Sequence, residues 1–146
     1  MRRPPMVLLA LLVAGASLTS LPACSTRAAS VEVHMMPMDQ LPAEMQSAPV
    51  DVRTAYQFAA ANPQVSMNVR CYCGCDSIGH TSNFQCYVSR VEPGGVFVFD
   101  RHALSCSTCI DITLDSMRLM KEGKDIAAIR AYVDSTYSRL DPPNMP

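Results

Sequence analysis

Apolar residues recur with helical spacing in three stretches of this chain. Between Val50 and Ala61, Val52, Ala55, Tyr56 and Ala59 fall at i, i+3, i+4 and i+7, with Asp51, Arg53 and Gln57 off that stripe. The pattern predicts a short amphipathic helix ended by Asn62-Pro63. Cys106, Cys109, Ile110, Thr113, Met117 and Met120 share one face of a second, longer helix, with Ser105 as N-cap and Gly123 as its stop after about Glu122. A third is expected from about Asp125 to Tyr137, with Ile126, Ile129, Val133 and Tyr137 turned inwards. Between the first and second, Tyr87-Val88-Ser89-Arg90-Val91 and Val96-Phe97-Val98-Phe99 are β-rich and joined by Glu92-Pro93-Gly94-Gly95, a hairpin signal. Two strands alone are marginal, so the hairpin must pack on helices. The expected fold is mainly α, a small three-helix domain over residues 50–140 with one β-hairpin and a Cys-rich loop. The proline-rich tail, residues 141–146, is not helical. No internal repeat is visible.

The front of the chain follows no such period. Arg2 and Arg3 precede an apolar run from Met6 to Leu18, too short to span a bilayer and of signal-peptide length. It leads into Leu21-Pro22-Ala23-Cys24, which resembles a bacterial lipobox. Residues 1–23 are therefore expected to be a lipoprotein signal peptide, with Cys24 as the lipidated first residue of the mature chain. The bland alternative is plain secretion with Cys24 a spare thiol. Residues 24–49, rich in Met, Pro, Ala and Ser, read as a flexible tether with a reach on the order of 25–30 Å. These features place the domain in the cell envelope, lipid-anchored on the extracytoplasmic face, with the membrane as its first partner.

Composition narrows the function. The full chain of 146 residues carries 12 basic and 13 acidic residues, and signal cleavage would remove two of the basic ones. That mild negative balance, with no basic stripe, argues against nucleic acid. Of seven cysteines, six remain once Cys24 is set aside for lipid. Outside the cytoplasm, six cysteines read first as three disulfides.

The spacing of the six points elsewhere. Cys71-Tyr72-Cys73-Gly74-Cys75 puts three cysteines at alternate positions, which in an extended segment share one side. Their Cα atoms would stand roughly 6.6 Å apart, near the outer limit for a disulfide, whereas a soft metal ion gathers sulfurs without bonding them to each other. Cys106 and Cys109, at i and i+3 in a first helical turn, have Cβ atoms roughly 5–6 Å apart, where the helix N-terminus favours thiolate. With Cys86 between them, the set suggests one sulfur-rich centre. A zinc site closing on four ligands would leave two cysteines unused. Copper(I) prefers soft thiolates that bridge, so several ions can use all six; iron–sulfur chemistry ranks lower at an exposed extracytoplasmic site. The candidate ligands are Cys71, Cys73, Cys75, Cys86, Cys106 and Cys109. His80, in the polar loop after Cys75, is a further candidate, and His102 reads more readily as a helix-entry or surface residue. Met117 and Met120 read as core, Asp76 as an exposed loop acid, and His34-Met35-Met36, Met38 and Met45 as tether residues that only secondarily suggest copper collection.

These residues resemble a known family. Cys71-Tyr72-Cys73-Gly74-Cys75, Gly79-His80-Thr81-Ser82-Asn83, Cys86, the hairpin, Cys106-x-x-Cys109 and Lys121-Glu122-Gly123-Lys124 are similar to the bacterial PCYCGC-motif lipoprotein family. Upstream, Ala55-Tyr56-Gln57-Phe58-Ala59-Ala60-Ala61-Asn62-Pro63 matches that family's helix ahead of the motif. Arg70 stands where the name-giving proline would be. The resemblance implies an extracytoplasmic lipoprotein and no particular activity.

Three functions compete. The leading expectation is a lipoprotein binding a soft metal, copper(I) first and zinc second, for storage, delivery or detoxification, with a metal donor or acceptor protein as partner. The second is a disulfide-stapled interaction domain in which Cys71, Cys73 and Cys75 each pair with one of Cys86, Cys106 and Cys109. The third, an enzyme, is thiol–disulfide exchange at Cys106-Ser107-Thr108-Cys109, which lacks the surrounding βαβ pattern of a thioredoxin-like site.

Overall fold

The computed structural model describes residues 32–145; the signal segment, the lipobox with Cys24 and the first part of the tether lie outside the described residues. The helical stripes fold as their spacing predicts. Helix α2 (Val50–Ala61) buries Ala55, Tyr56, Phe58, Ala59 and Ala60, and packs against α4 (Ser107–Lys121), which packs in turn on α5 (Ile126–Tyr137). Two shorter helices flank α2: α1 (Ala43–Gln46) before it and α3 (Pro63–Ser66) after it. Strands β1 (Val88–Glu92) and β2 (Val96–Phe99) form the expected antiparallel hairpin, in register Val88 to Phe99 and Glu92 to Val96, with a bulge at Ser89. Only Val88 of β1 is buried, so the hairpin is rooted in the core at one end and projects from it.

Helix ends follow local chemistry. Asp125 caps α5, its carboxylate accepting from the Ala128 N–H at 2.8 Å, an N-terminal anchor worth about 1 kcal/mol. Gly123, at φ 78°, closes α4 in the left-handed conformation expected of a C-terminal glycine. At the start of α4 the cap is Cys106 rather than Ser105. Ile126, expected to face inwards, is 36% exposed at the first turn of α5, where it borders a surface cavity with Met120 and Ile129.

The folded unit begins earlier than residue 50. Met36, Leu41 and Met45 are all buried in the core, although 24–49 was expected to be tether throughout. The Met36 N–H donates to Gln57 O at 3.0 Å and the Gln57 amide donates back to Met36 O at 2.7 Å. Asn62, fully buried, bonds both backbone groups of His34. A strap of residues 34–46 is thus laced to α2. Its apolar residues sit in separate short turns, so they show no helical period along the chain. The methionines divide accordingly: Met36 and Met45 are packing residues, and Met35 and Met38 are exposed. No helix among the described residues is long and apolar enough to cross a membrane.

The strap gives the first prediction. Met45→Ala is expected to lower unfolding free energy by about 2–4 kcal/mol, the cost of a buried methionine cavity, whereas Met38→Ala costs under about 0.5. Urea titration of the two variants checks this; equal, small effects would mean the strap is not part of the core.

Candidate metal centre

The cysteine loop lies across the first turn of α4, and each sulfur is brought in by a different local device. Cys71 follows Val69, a core residue, and its backbone is gripped by the chain's C-terminal segment. Gly74 turns left-handed at φ 71°, ending the extended run after Cys73 and starting a 3-10 turn over Cys75–Ile78. The left-handed backbone there is what calls for glycine; an added Cβ would also stand 2.9 Å from Asp141 Oδ2, the end of an exposed side chain that can move aside. A second 3-10 turn, Asn83–Cys86, delivers Cys86.

The six sulfurs then converge, in two groups. Cys73, Cys106, Cys109 and His102 have ligand atoms all within 4.8 Å of one another, and so do Cys71, Cys75 and Cys86. Cys71 is the seam. Its Sγ lies 3.3 Å from Cys73 and 3.2 Å from Cys109, while Cys73 and Cys109 are 3.5 Å apart and Cys75 and Cys86 3.7 Å. The expectation that all three triplet sulfurs face one point therefore resolves into a split: Cys73 lies with Cys109 of α4, Cys75 with Cys86, and Cys71 borders both sets.

Both groups are donor sets that can hold a soft metal ion. Sulfurs bound to one tetrahedral ion at about 2.3 Å would stand about 3.8 Å apart, and a sulfur and an imidazole nitrogen about 3.6 Å. Within the groups Cys73 and Cys109 are 3.5 Å apart, Cys75 and Cys86 3.7 Å, and His102 Nε2 is 3.5 Å from Cys73 Sγ, with every other ligand pair of a group inside 4.8 Å. All six cysteines are free thiols in this structure, and Cys71, Cys75, Cys86 and Cys109 are buried.

The histidine at the centre is His102, not His80. A 3-10 turn over His102–Leu104 brings the chain back towards Cys73 just ahead of α4. Asp100 sets that turn by accepting from the His102 backbone N–H at 2.8 Å, and its own carbonyl is held by the buried Tyr56 hydroxyl at 2.7 Å. His80 stands behind His102, ring against ring edge-on at 5.3 Å, with its Nε2 3.6 Å from Asp100 Oδ2. It belongs to neither ligand group.

A buried polar spine fixes Cys109. The Tyr87 hydroxyl donates to the Cys109 carbonyl at 2.7 Å, and the Thr113 hydroxyl, 2.7 Å from Tyr87, donates to Asn83 Oδ1 at 2.8 Å. Burial first of all pushes the Tyr87 phenol well above its ordinary range, so it stays a donor. On the other flank Arg70 and Tyr72 both bond Asp134 of α5, at 2.7 and 2.6 Å. The residue in place of the motif's proline thus ties the cysteine loop to α5.

Protons are shared unequally across the cluster. Cys73 is held well below the ordinary thiol value by hydrogen bonds from Cys106, Cys109 and Cys71. Cys109 is held well above it, because ionisation would forfeit its bonds to Cys106, Cys71 and Cys73. Cys75 is pushed down to about 3, chiefly by bonds from Cys109 and Cys71. At Cys106, Cys109 pulls the thiol down, but the bond to Cys73 and burial outweigh it and the value is raised. That is the reverse of what the helix start suggested, and of what an attacking thiol needs.

Asn144 is the site residue that sequence reasoning missed. Its Oδ1 accepts from the Cys71 N–H at 2.7 Å, its own N–H donates to Cys71 O at 3.1 Å, and its Nδ2 lies 3.5 Å from Cys75 Sγ. It is buried, although the surrounding tail is exposed. Nothing in a Pro-Pro-Asn-Met-Pro tail signals a contact 73 residues upstream.

A model of the family described as "Protein of unknown function with PCYCGC motif" matches residues 6–143, and the chain belongs to that family. No curated protein and no solved structure matches.

The Asn144 grip yields a prediction. Asn144→Ala strands the buried Cys71 N–H and is expected to cost about 1–3 kcal/mol in chemical denaturation of the reduced protein. A change below about 0.5 kcal/mol would show that the tail does not hold the loop.

Proposed function

We propose that this member of the PCYCGC family is an envelope lipoprotein that binds copper(I) in a thiolate cluster. The observation that carries the reading is the seam: one sulfur, Cys71, stands 3.2–3.3 Å from sulfurs of the neighbouring group. Copper(I) is served by soft ligands, and bridging thiolates let one sulfur serve two ions. Cys73, Cys106, Cys109 and His102 would hold one ion, and Cys71, Cys75 and Cys86 another, with sulfur shared between them. The bound ion supplies the positive charge that lets thiolates crowd this closely. Storage, delivery or detoxification at the extracytoplasmic face then fits Cys24 as a lipid anchor, with a metal donor or acceptor protein as partner. Zinc suits the group containing His102, which has the Cys₃His composition of a closed zinc site, and fits the all-sulfur group less well.

A second reading is favoured by one distance. Cys75 and Cys86, 3.7 Å apart and both buried, are poised to pair, and oxidation of the whole set would give a three-bridge domain.

Elemental analysis and thiol counting on one anaerobically purified sample distinguish the two. The copper reading expects two or more copper ions per chain and six titratable domain thiols after metal removal. Metal-free protein from copper-replete cells, lighter by six hydrogens and without free thiols, would overturn it. In the same preparation, Cys24→Ser is expected to move the protein out of the membrane fraction with copper content unchanged, whereas Cys109→Ser lowers copper content. Equal membrane partition of Cys24→Ser and the unaltered chain would refute the anchor.

A further inference from the structure

We propose that the two ligand groups are unequal metal positions: an exchange position at Cys73, His102, Cys106 and Cys109, and a retained position at Cys71, Cys75 and Cys86. The proposal rests on the copper reading above and adds a direction to it, since metal would enter and leave at one end. The first observation is burial. Cys71, Cys75 and Cys86 are 0, 1 and 0% exposed, whereas in the other group Cys73, Cys106 and His102 are only part-buried and Cys109 alone is fully buried.

The second observation is what lies outside each group. Cys106 lines a surface cavity of about 380 Å³ between the start of α2 and the start of α4. Its lining includes Asp51 and Asp111, and no Lys, Arg or His. The charge at this opening suits an approaching cation. None of Cys71, Cys75 and Cys86 lines this cavity. Asn144 covers their group, bonding Cys71 on both backbone groups and reaching Cys75 Sγ, while Asp141 lies against Gly74.

Transfer at the exchange position is a ligand substitution. A first incoming thiol from a partner would form a metal–sulfur bond as the metal–Cys106 bond breaks, its proton going to the departing Cys106 thiolate. The bonds to Cys73, Cys109 and His102 would be replaced by further partner ligands in the same way, the protons released going to the groups that depart. No electrons change hands. The partner that fits is one presenting an accessible thiol on a surface loop narrow enough to enter the cavity. The retained ion stays behind, and its sulfurs hold the neighbouring ligands in place for reloading.

The test is removal of copper(I) from the reduced, loaded protein under anaerobic conditions by excess bathocuproine disulfonate, followed by absorbance. Two phases are expected, separated by on the order of tenfold or more, the spread that arises when release of the buried ion requires local opening. Cys106→Ser should remove the fast phase and keep the slow one. Asn144→Ala should accelerate the slow phase alone, with helix content by circular dichroism as the control for folding. If Asn144→Ala fails to fold, the two phases of the unaltered protein still decide the question. Two ions leaving in one phase, or Cys106→Ser abolishing the slow phase, would overturn the inference while leaving the copper reading intact. Reduced protein that takes up no copper would overturn that reading itself.

Discussion

Crowded sulfur is the constraint on which the rest of the structure depends. Two unit charges about 3.5 Å apart repel by about 5 kcal/mol at an effective dielectric near 20, and four sulfur pairs in this cluster stand 3.2–3.7 Å apart. Such a set cannot be ionised together without a cation, and it cannot stay fully protonated without losing what makes thiolates useful. The opposed shifts of Cys73 and Cys109 express that conflict: one takes the charge because its neighbours keep their protons. A soft metal ion resolves the conflict outright, replacing protons by one positive charge shared among several sulfurs.

The fold then appears as a set of clamps on this cluster. Helix α4 supplies Cys109 and is pinned through Tyr87, Thr113 and Asn83. Helix α2 reaches the histidine indirectly, since Tyr56 holds Asp100 and Asp100 holds the turn of His102. Helix α5 holds the entry to the motif through Asp134, and the C-terminal segment holds its first cysteine through Asn144. Apart from the half-buried Arg70–Asp134 ion pair, these clamps are buried or half-buried hydrogen bonds, which salt screens little and which cost more to break than exposed ion pairs. The domain is small for such a load, and the strap of residues 34–46 adds Met36, Leu41 and Met45 to a modest core.

Much of this was legible in the chain, and the rest was hidden for particular reasons. The stripe from Val52 to Ala59 gave α2 its bounds, and Glu92-Pro93-Gly94-Gly95 gave the hairpin, because periodicity and turn chemistry are local. The strap was not legible, because three apolar residues spread over short turns have no period. His102 was weighed below His80 because loop position after Cys75 seemed the better guide; the 3-10 turn that swings His102 back is decided by Asp100 and Tyr56, the latter far away in sequence. With Ser105 as cap the helix would open at Cys106, but it opens one residue later, at Ser107, so Cys106 takes the capping position at the cluster edge. Asn144 had no local signal at all, since its only meaning is a contact with the opposite end of the domain.

Cluster chemistry is most directly read at the metal. X-ray absorption at the copper edge, on reduced protein loaded anaerobically, reports the atoms bound to the ion and any second ion nearby. The account predicts copper(I) with a sulfur-dominated first shell, a minor nitrogen contribution that disappears in His102→Ala, and a short copper–copper vector from bridging sulfur. A first shell of nitrogen and oxygen alone, or isolated ions bound away from the six cysteines, would contradict it.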